Sequence, residues 1–104
     1  MAKAKKNTVT EEQIKELLKG STLNTFKLGD KTTAVQLTLP NGFVIVETST
    51  CVDPDNYNEQ IGFDICLERI QKKVWELEGY LLQQILYIKQ LSEKETPSKI
   101  IKLS

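Results

Sequence analysis

The stretch DNYNEQIGFDICLERIQKKVWELEGYLLQQILYIKQL, running from Asp55 to Leu91, decides how the rest of the chain is read. Apolar residues recur along it at Phe63, Cys66, Ile70, Val74, Leu77, Leu81, Ile85, Ile88 and Leu91. Their eight steps cover 28 positions, a mean spacing of 3.5 that belongs to a helix and not to a strand. A second row, Leu67, Trp75, Leu82 and Leu86, widens the apolar face. At 1.5 Å per residue such a helix is about 55 Å long, roughly twice the ~26 Å diameter of a compact domain of this size. One small sheet does not cover it, so the expected cover is a helix from a second copy of the chain. The competing reading is a helical pair broken at Gly79, because a glycine inside a helix costs about 1 kcal/mol relative to alanine.

Working outward, the start of this helix is expected at Asp53-Pro54. Asp53 accepts the free N–H groups of a first turn, and Pro54 suits a position that needs no N–H. Gly62 is placed where the helix would cross a sheet at close range. Upstream the period changes to two. Leu23 to Lys27 reads as one strand, with Leu28-Gly29-Asp30-Lys31 as its turn. Thr32 to Leu39 reads as a second strand, Val35, Leu37 and Leu39 on one side and Ala34, Gln36 and Thr38 on the other. Pro40-Asn41-Gly42 is a turn, and Phe43 to Thr50 is the third strand. Valines on both faces leave open which one meets the helix.

Before the sheet, Thr10-Glu11-Glu12-Gln13 fits a capping box, with Val9 and Ile14 as its hydrophobic staple. Ile14, Leu17 and Leu18 give a short helix one apolar face, and Gly20 is expected to end it in the left-handed conformation. The whole is an α+β fold in one domain, residues 1–104. It comprises a flexible basic tail (1–7), a short helix with a three-stranded antiparallel meander (8–54), a long oligomerising helix (55–91) and a polar tail (92–104). Ile100, Ile101 and Leu103 are placed to dock that last tail on a neighbour.

Composition removes several function classes. Lys+Arg and Asp+Glu are both 14, so the chain lacks the positive excess with which a sequence-independent binder of long nucleic acid displaces counterions. Histidine is absent, which takes away the commonest general base and metal ligand. Cys51 and Cys66 stand 15 apart with no CxxC pattern, so they read as buried thiols and not as a metal or redox pair. MAKAKK is followed by polar Asn7 and Thr8, unlike a secretory signal, and no apolar run approaches the ~20 residues of a membrane span. No catalytic constellation is recognisable: the carboxylates Asp64, Glu68, Glu76 and Glu78 mix with Arg69, Lys72 and Lys73 as a solvated helix face with pairs such as Glu68–Lys72. The expectation is a binding protein, not an enzyme, with no metal and no cofactor. Its candidate ligand residues are Phe43 and Asn41 at one turn, Asp53 and Asn56 where the long helix begins, and Arg69 and Lys73 along it. An aromatic to stack a base, amides for its edge and cations for phosphate are the parts of a small nucleotide site.

Two segments carry a resemblance. Leu39-Pro-Asn-Gly-Phe43 running through Glu47-Thr-Ser-Thr-Cys-Val-Asp-Pro-Asp-Asn-Tyr57, then Ile61-Gly62 and Trp75-Glu-Leu-Glu-Gly-Tyr80, resembles a family of small phage and prophage proteins. The chain is similar in this region, residues 30–88, to the Thoeris anti-defence sponge proteins (the first type described). The resemblance implies a viral protein in the host cytoplasm that sequesters a cyclic nucleotide immune signal without cleaving it. Cyclic ADP-ribose isomers from TIR-domain enzymes are one such signal, cyclic oligonucleotides another. It also implies a small sheet, long helices that build a dimer or a higher assembly, and ligand pockets at subunit contacts. On this chain an aromatic, an asparagine or aspartate and an arginine of such a pocket correspond to Phe43, Asp53 or Asn56, and Arg69. Arg69 is the single arginine, so a second phosphate contact falls to Lys27, Lys72, Lys73 or backbone N–H groups. The alternative is a protein-interaction module, an inhibitor that grips a host protein through the long helix.

Overall fold

The computed structural model describes residues 7–94. In order these form helix α1 (Glu11–Lys19), strands β1 (Thr22–Leu28), β2 (Thr32–Thr38) and β3 (Val44–Thr50), a 3-10 turn (Pro54–Asn56) and helix α2 (Glu59–Lys94). The sheet is an antiparallel meander in the order β1-β2-β3. Its register sets Leu23 and Ile45 beside Leu37, Thr25 and Glu47 beside Val35, and Lys27 and Ser49 beside Thr33. These residues share one face of the sheet; α2 covers its β2 and β3 part, and the β1 residues stay exposed. The opposite face presents Phe26, Val44 and Val46 around Ala34 and Gln36, and among the described residues no second layer covers it.

Alternation alone left the covered face open, and packing decides it. Val35, Leu37, Leu39 and Ile45 join Ile14, Cys66, Ile70 and Val74 in one buried cluster, with Val9, Leu17, Leu18 and Phe63 packed at its edge. The α1 capping box forms as read: Gln13 N–H donates to Thr10 Oγ1 at 3.2 Å, and Thr10 N–H donates to Gln13 Oε1 at 2.7 Å. Gly20 differs from expectation. It closes α1 at φ −86°, in the right-handed half of the map, with its N–H on the Glu16 carbonyl. Between β2 and β3, Gly42 N–H donates to Leu39 O, and Leu39 N–H donates to Phe43 O, each at 2.8 Å. Gly42 takes φ +94° there, the left-handed position that lets a three-residue loop join twisted strands.

The start of the long helix is corrected by four residues. Asp53 caps the 3-10 turn instead, its Oδ1 accepting from Asp55 N–H at 3.0 Å. After Tyr57, which is extended, the true cap is Asn58, whose Oδ1 accepts from Ile61 N–H at 3.1 Å. Asn58 supplies the same side-chain acceptor as Asp53 five residues further along, and spacing did not separate the two. From there α2 continues for 36 residues through Gly79, so the broken pair is not formed, and it ends three residues beyond Leu91. The expected Glu68–Lys72 pair is also not formed; the ion pairs among the described residues are Lys19–Glu16 and Lys73–Glu47. The docking expected of Ile100, Ile101 and Leu103 lies outside the described residues.

Gly62 does mark the crossing. A Cβ there would sit 2.4 Å from Thr33 Oγ1, so only glycine lets α2 lie this close to the central strand. The sheet then covers only the first half of the apolar stripe. Cys66, Ile70 and Val74 are 0% exposed, whereas Leu77, Leu81, Ile85 and Ile88 on the same stripe are 38–51% exposed. The molecule is elongated accordingly, 62 Å in its longest extent, with a radius of gyration of 18.7 Å against about 13 Å for a compact chain of this length.

Candidate functional site

β3 is an edge strand, and α2 runs antiparallel along its open side. Three contacts trace the line. Arg69 Nη1 donates to the Thr48 carbonyl at 2.8 Å, Lys73 pairs with Glu47, and Lys73 and Leu77 face Phe43 and Val44 across a groove. Arg69 thereby occupies an outward carbonyl that an edge strand otherwise leaves free for another chain. One hydrogen bond does not exhaust a guanidinium, and the remaining N–H donors of this exposed side chain are open.

The groove widens into a cleft at each end. Around Phe43, Val46, Lys73, Glu76 and Leu77 it holds about 280 Å³. Phe43 is 51% exposed, so it is a platform on the surface and not part of the core. Asn41 supports it from the turn, its Oδ1 accepting from Phe43 N–H at 3.0 Å. The second cleft, about 150 Å³, lies where α2 begins and is lined by Lys31, Thr33, Ser49, Cys51, Asn56 and Tyr57 among others. Tyr57 Oη and Thr33 Oγ1 are hydrogen-bonded 2.8 Å apart, and Lys27 Nζ stands 4.6 Å over the Tyr57 ring as a cation–π contact. Lys31 Nζ donates to the Val52 carbonyl at 3.2 Å, which orients it along this wall.

The six candidates therefore divide. Phe43, Asn41 and Lys73 share one end, Asn56 lines the other, Asp53 sits in the turn beside it, and Arg69 stands between. The clefts are separated along β3 by about five residues, roughly 17 Å at strand rise. Each also falls below the ~300–1,000 Å³ that encloses a small-molecule ligand. A single protomer offers a stacking platform and cations, but not an enclosing wall.

Sequence reading missed Lys31, the Tyr57–Thr33 bond and Glu47. The signal for Glu47 was present, since a carboxylate alternating with Ile45 on the covered face requires a cation from the helix above it. Lys73 is that cation. Deep under the groove, Cys66 is buried and its Sγ lies 3.7 Å from the Thr33 carbonyl. Burial pushes its thiol above the ordinary range, against the smaller opposing pull of Arg69. Cys51 is only half-buried. Among the described residues no cluster of His, Cys, Asp and Glu is placed to hold a metal ion, and no helix is long and apolar enough to cross a membrane.

These features define a small α+β protein in which one helix is both the second layer of the sheet and an arm beyond it. The chain belongs to the phage protein family of N4 Gp49 and phage Sf6 gene 66, whose model matches residues 9–86. That span takes in α1, all three strands and α2 as far as Leu86. No curated protein and no solved structure matches the chain.

Proposed function

We propose that this phage protein is an anti-defence sponge acting in the host cytoplasm, a homo-oligomer that binds a cyclic nucleotide immune signal and holds it intact. A cyclic ADP-ribose isomer from a TIR-domain enzyme is the leading ligand, with cyclic oligonucleotides as the second class. The observation that carries this reading is the groove along β3, where a half-exposed Phe43 and two cations, Lys73 and Arg69, lie on one line. Aromatic stacking contributes about 1–3 kcal/mol per base, and guanidinium pairs with phosphate through two parallel N–H donors. Binding without turnover suits a groove that presents a platform and cations. Asp53 and Asn56, at the far end, serve a second ligand contact from a neighbouring copy.

The test is calorimetric titration with cyclic ADP-ribose isomers and cyclic di- and trinucleotides, followed by heating and mass identification of what is released. Tight binding with unaltered ligand is expected, and Phe43→Ala and Arg69→Ala are expected to abolish it while circular dichroism stays unchanged. Absence of binding across the panel, or recovery of a cleaved ligand, overturns the reading. The exposed stripe from Leu77 to Ile88 favours one alternative, an inhibitor that grips a host protein through the long helix. A stable host complex with no retained small molecule would select it.

A further inference from the structure

The turn between β2 and β3 carries chemistry that the groove beside it does not use. Of the asparagines Asn7, Asn24, Asn41, Asn56 and Asn58, only Asn41 is followed by glycine. A backbone nitrogen can attack the side-chain amide of the residue before it, and a glycine nitrogen does so with no Cβ in the way. Asn41 and Gly42 are both exposed, and a Cβ built on Gly42 would meet nothing within 4 Å, so water reaches the pair freely.

The hydrogen bonds of the turn bear on that attack in opposite directions. Asn41 Oδ1 accepts from Phe43 N–H at 3.0 Å. This bond lays the side-chain carbonyl along the Asn41–Gly42 peptide instead of out into solvent. The Phe43 N–H also polarises it, as a donor aimed at a developing oxyanion does. Against attack, Gly42 N–H donates to Leu39 O at 2.8 Å, so its nitrogen is released only when the turn opens. Exposed loops lie at the low-stability end of a fold and open at little cost.

We propose that Asn41 is a site of self-modification, where the folded chain loses ammonia and takes up water. Gly42 N gives its proton to hydroxide and bonds to Asn41 Cγ. The Cγ–Nδ2 bond breaks, and the nitrogen leaves as ammonia with a proton from water, which restores the hydroxide. Water then opens the resulting succinimide. Opening at Cγ leaves aspartate at 41; opening at the backbone carbonyl leaves isoaspartate, whose CH2 now lies in the main chain. Nothing is oxidised or reduced, and the net change is an amide exchanged for a carboxylate. The formal charge of the chain moves from zero to one negative. That charge appears two residues from Phe43, at the end of the groove that holds Lys73. Isoaspartate also lengthens the short loop that fixes the register of β2 and β3. The effect on binding rests on the proposed function: the modified form would hold an anionic ligand less tightly.

The test follows the purified chain at mildly alkaline pH, folded and in guanidinium chloride, with digestion and mass mapping over time. The folded chain is expected to modify Asn41 within about tenfold of its rate in denaturant. Asn41 should change ahead of Asn24, Asn56 and Asn58, faster as pH rises, with isoaspartate among the products. Gly42→Ala should slow the change, and Asn41→Ser should abolish it. Protection of Asn41 on folding by more than about tenfold, or an earlier change at another asparagine, overturns the proposal. These readouts use no nucleotide, so failure of the titration leaves them unaffected. If the fresh protein binds in that titration, the modified form, separated by ion exchange, should bind more weakly; equal binding overturns the effect on the groove.

Discussion

Replacing Gly62 by alanine tests the closest contact in the fold. The added Cβ would lie 2.4 Å from Thr33 Oγ1 and 2.8 Å from Thr33 Cβ, where ordinary contact begins at 3.4 Å. Something must move by up to about 1 Å, and Thr33 is poorly placed to do so. It is fully buried on the central strand, with β1 and β3 on its two sides, and its hydroxyl is tied to Tyr57. Overpacking of this kind costs about 1–3 kcal/mol, and the helical preference of alanine over glycine returns about 1 kcal/mol. The expected net loss is up to about 2 kcal/mol. With a urea slope of about 1.5 kcal/mol/M, the midpoint falls by up to roughly 1.3 M. Gly79→Ala is the matched control in the same helix. Nothing lies within 4 Å of a Cβ there, so only the helix preference remains and the midpoint should rise. Both variants are unfolded at one protein concentration, because self-association adds to apparent stability. If Gly62→Ala stabilises as Gly79→Ala does, α2 does not cross the sheet at Thr33 and the packing described above is wrong.

Thiol chemistry should divide the two cysteines. Cys51 is expected to react with iodoacetamide in the folded protein, and Cys66 only after denaturant is added, as read by mass; equal labelling would place Cys66 outside the core. Because the folded protein disfavours the Cys66 thiolate, this group's contribution to stability is complete below the unfolded thiol value. It is lost as pH rises through the higher folded one, so urea midpoints of wild type and Cys66→Ala should converge toward alkaline pH. Thr10→Ala removes the acceptor for Gln13 N–H and is expected to cost about 1 kcal/mol in urea titration, as cap removals do. An unchanged midpoint would show that α1 is held by Ile14 and its neighbours alone. Ile70→Ala, at a site with no exposure, is expected to cost about 2–5 kcal/mol. A smaller loss would mean that the sheet and helix close over the gap.

Much of the fold was legible because its signals are local. The capping box at Thr10, the Leu39–Phe43 turn and the change of period from two to 3.5 each depend on residues within a few positions of one another. The errors were local ambiguities of the same kind. Asp53 and Asn58 are both sound caps, and which one starts α2 depends on where Tyr57 anchors to Thr33, 24 positions away in sequence. Gly20 ends α1 without the left-handed turn that glycine often supplies there. At the site, Asn41 and Phe43 belonged together by adjacency. Lys73 joined them only because α2 lies antiparallel on the edge of β3, an orientation that no window of sequence contains. The same orientation sent Asn56 to the opposite cleft.

By itself the sequence determined the elements, their order and the single apolar stripe of the long helix, since each follows from backbone geometry and side-chain periodicity over short range. Periodicity treats every position on that stripe alike. Only the tertiary structure decided that the stripe has two fates, buried under β2 and β3 as far as Val74 and half-exposed from Leu77 onward. The reason is one of dimensions. A seven-residue strand spans about 24 Å and a 36-residue helix about 54 Å, so this sheet covers less than half of its helix.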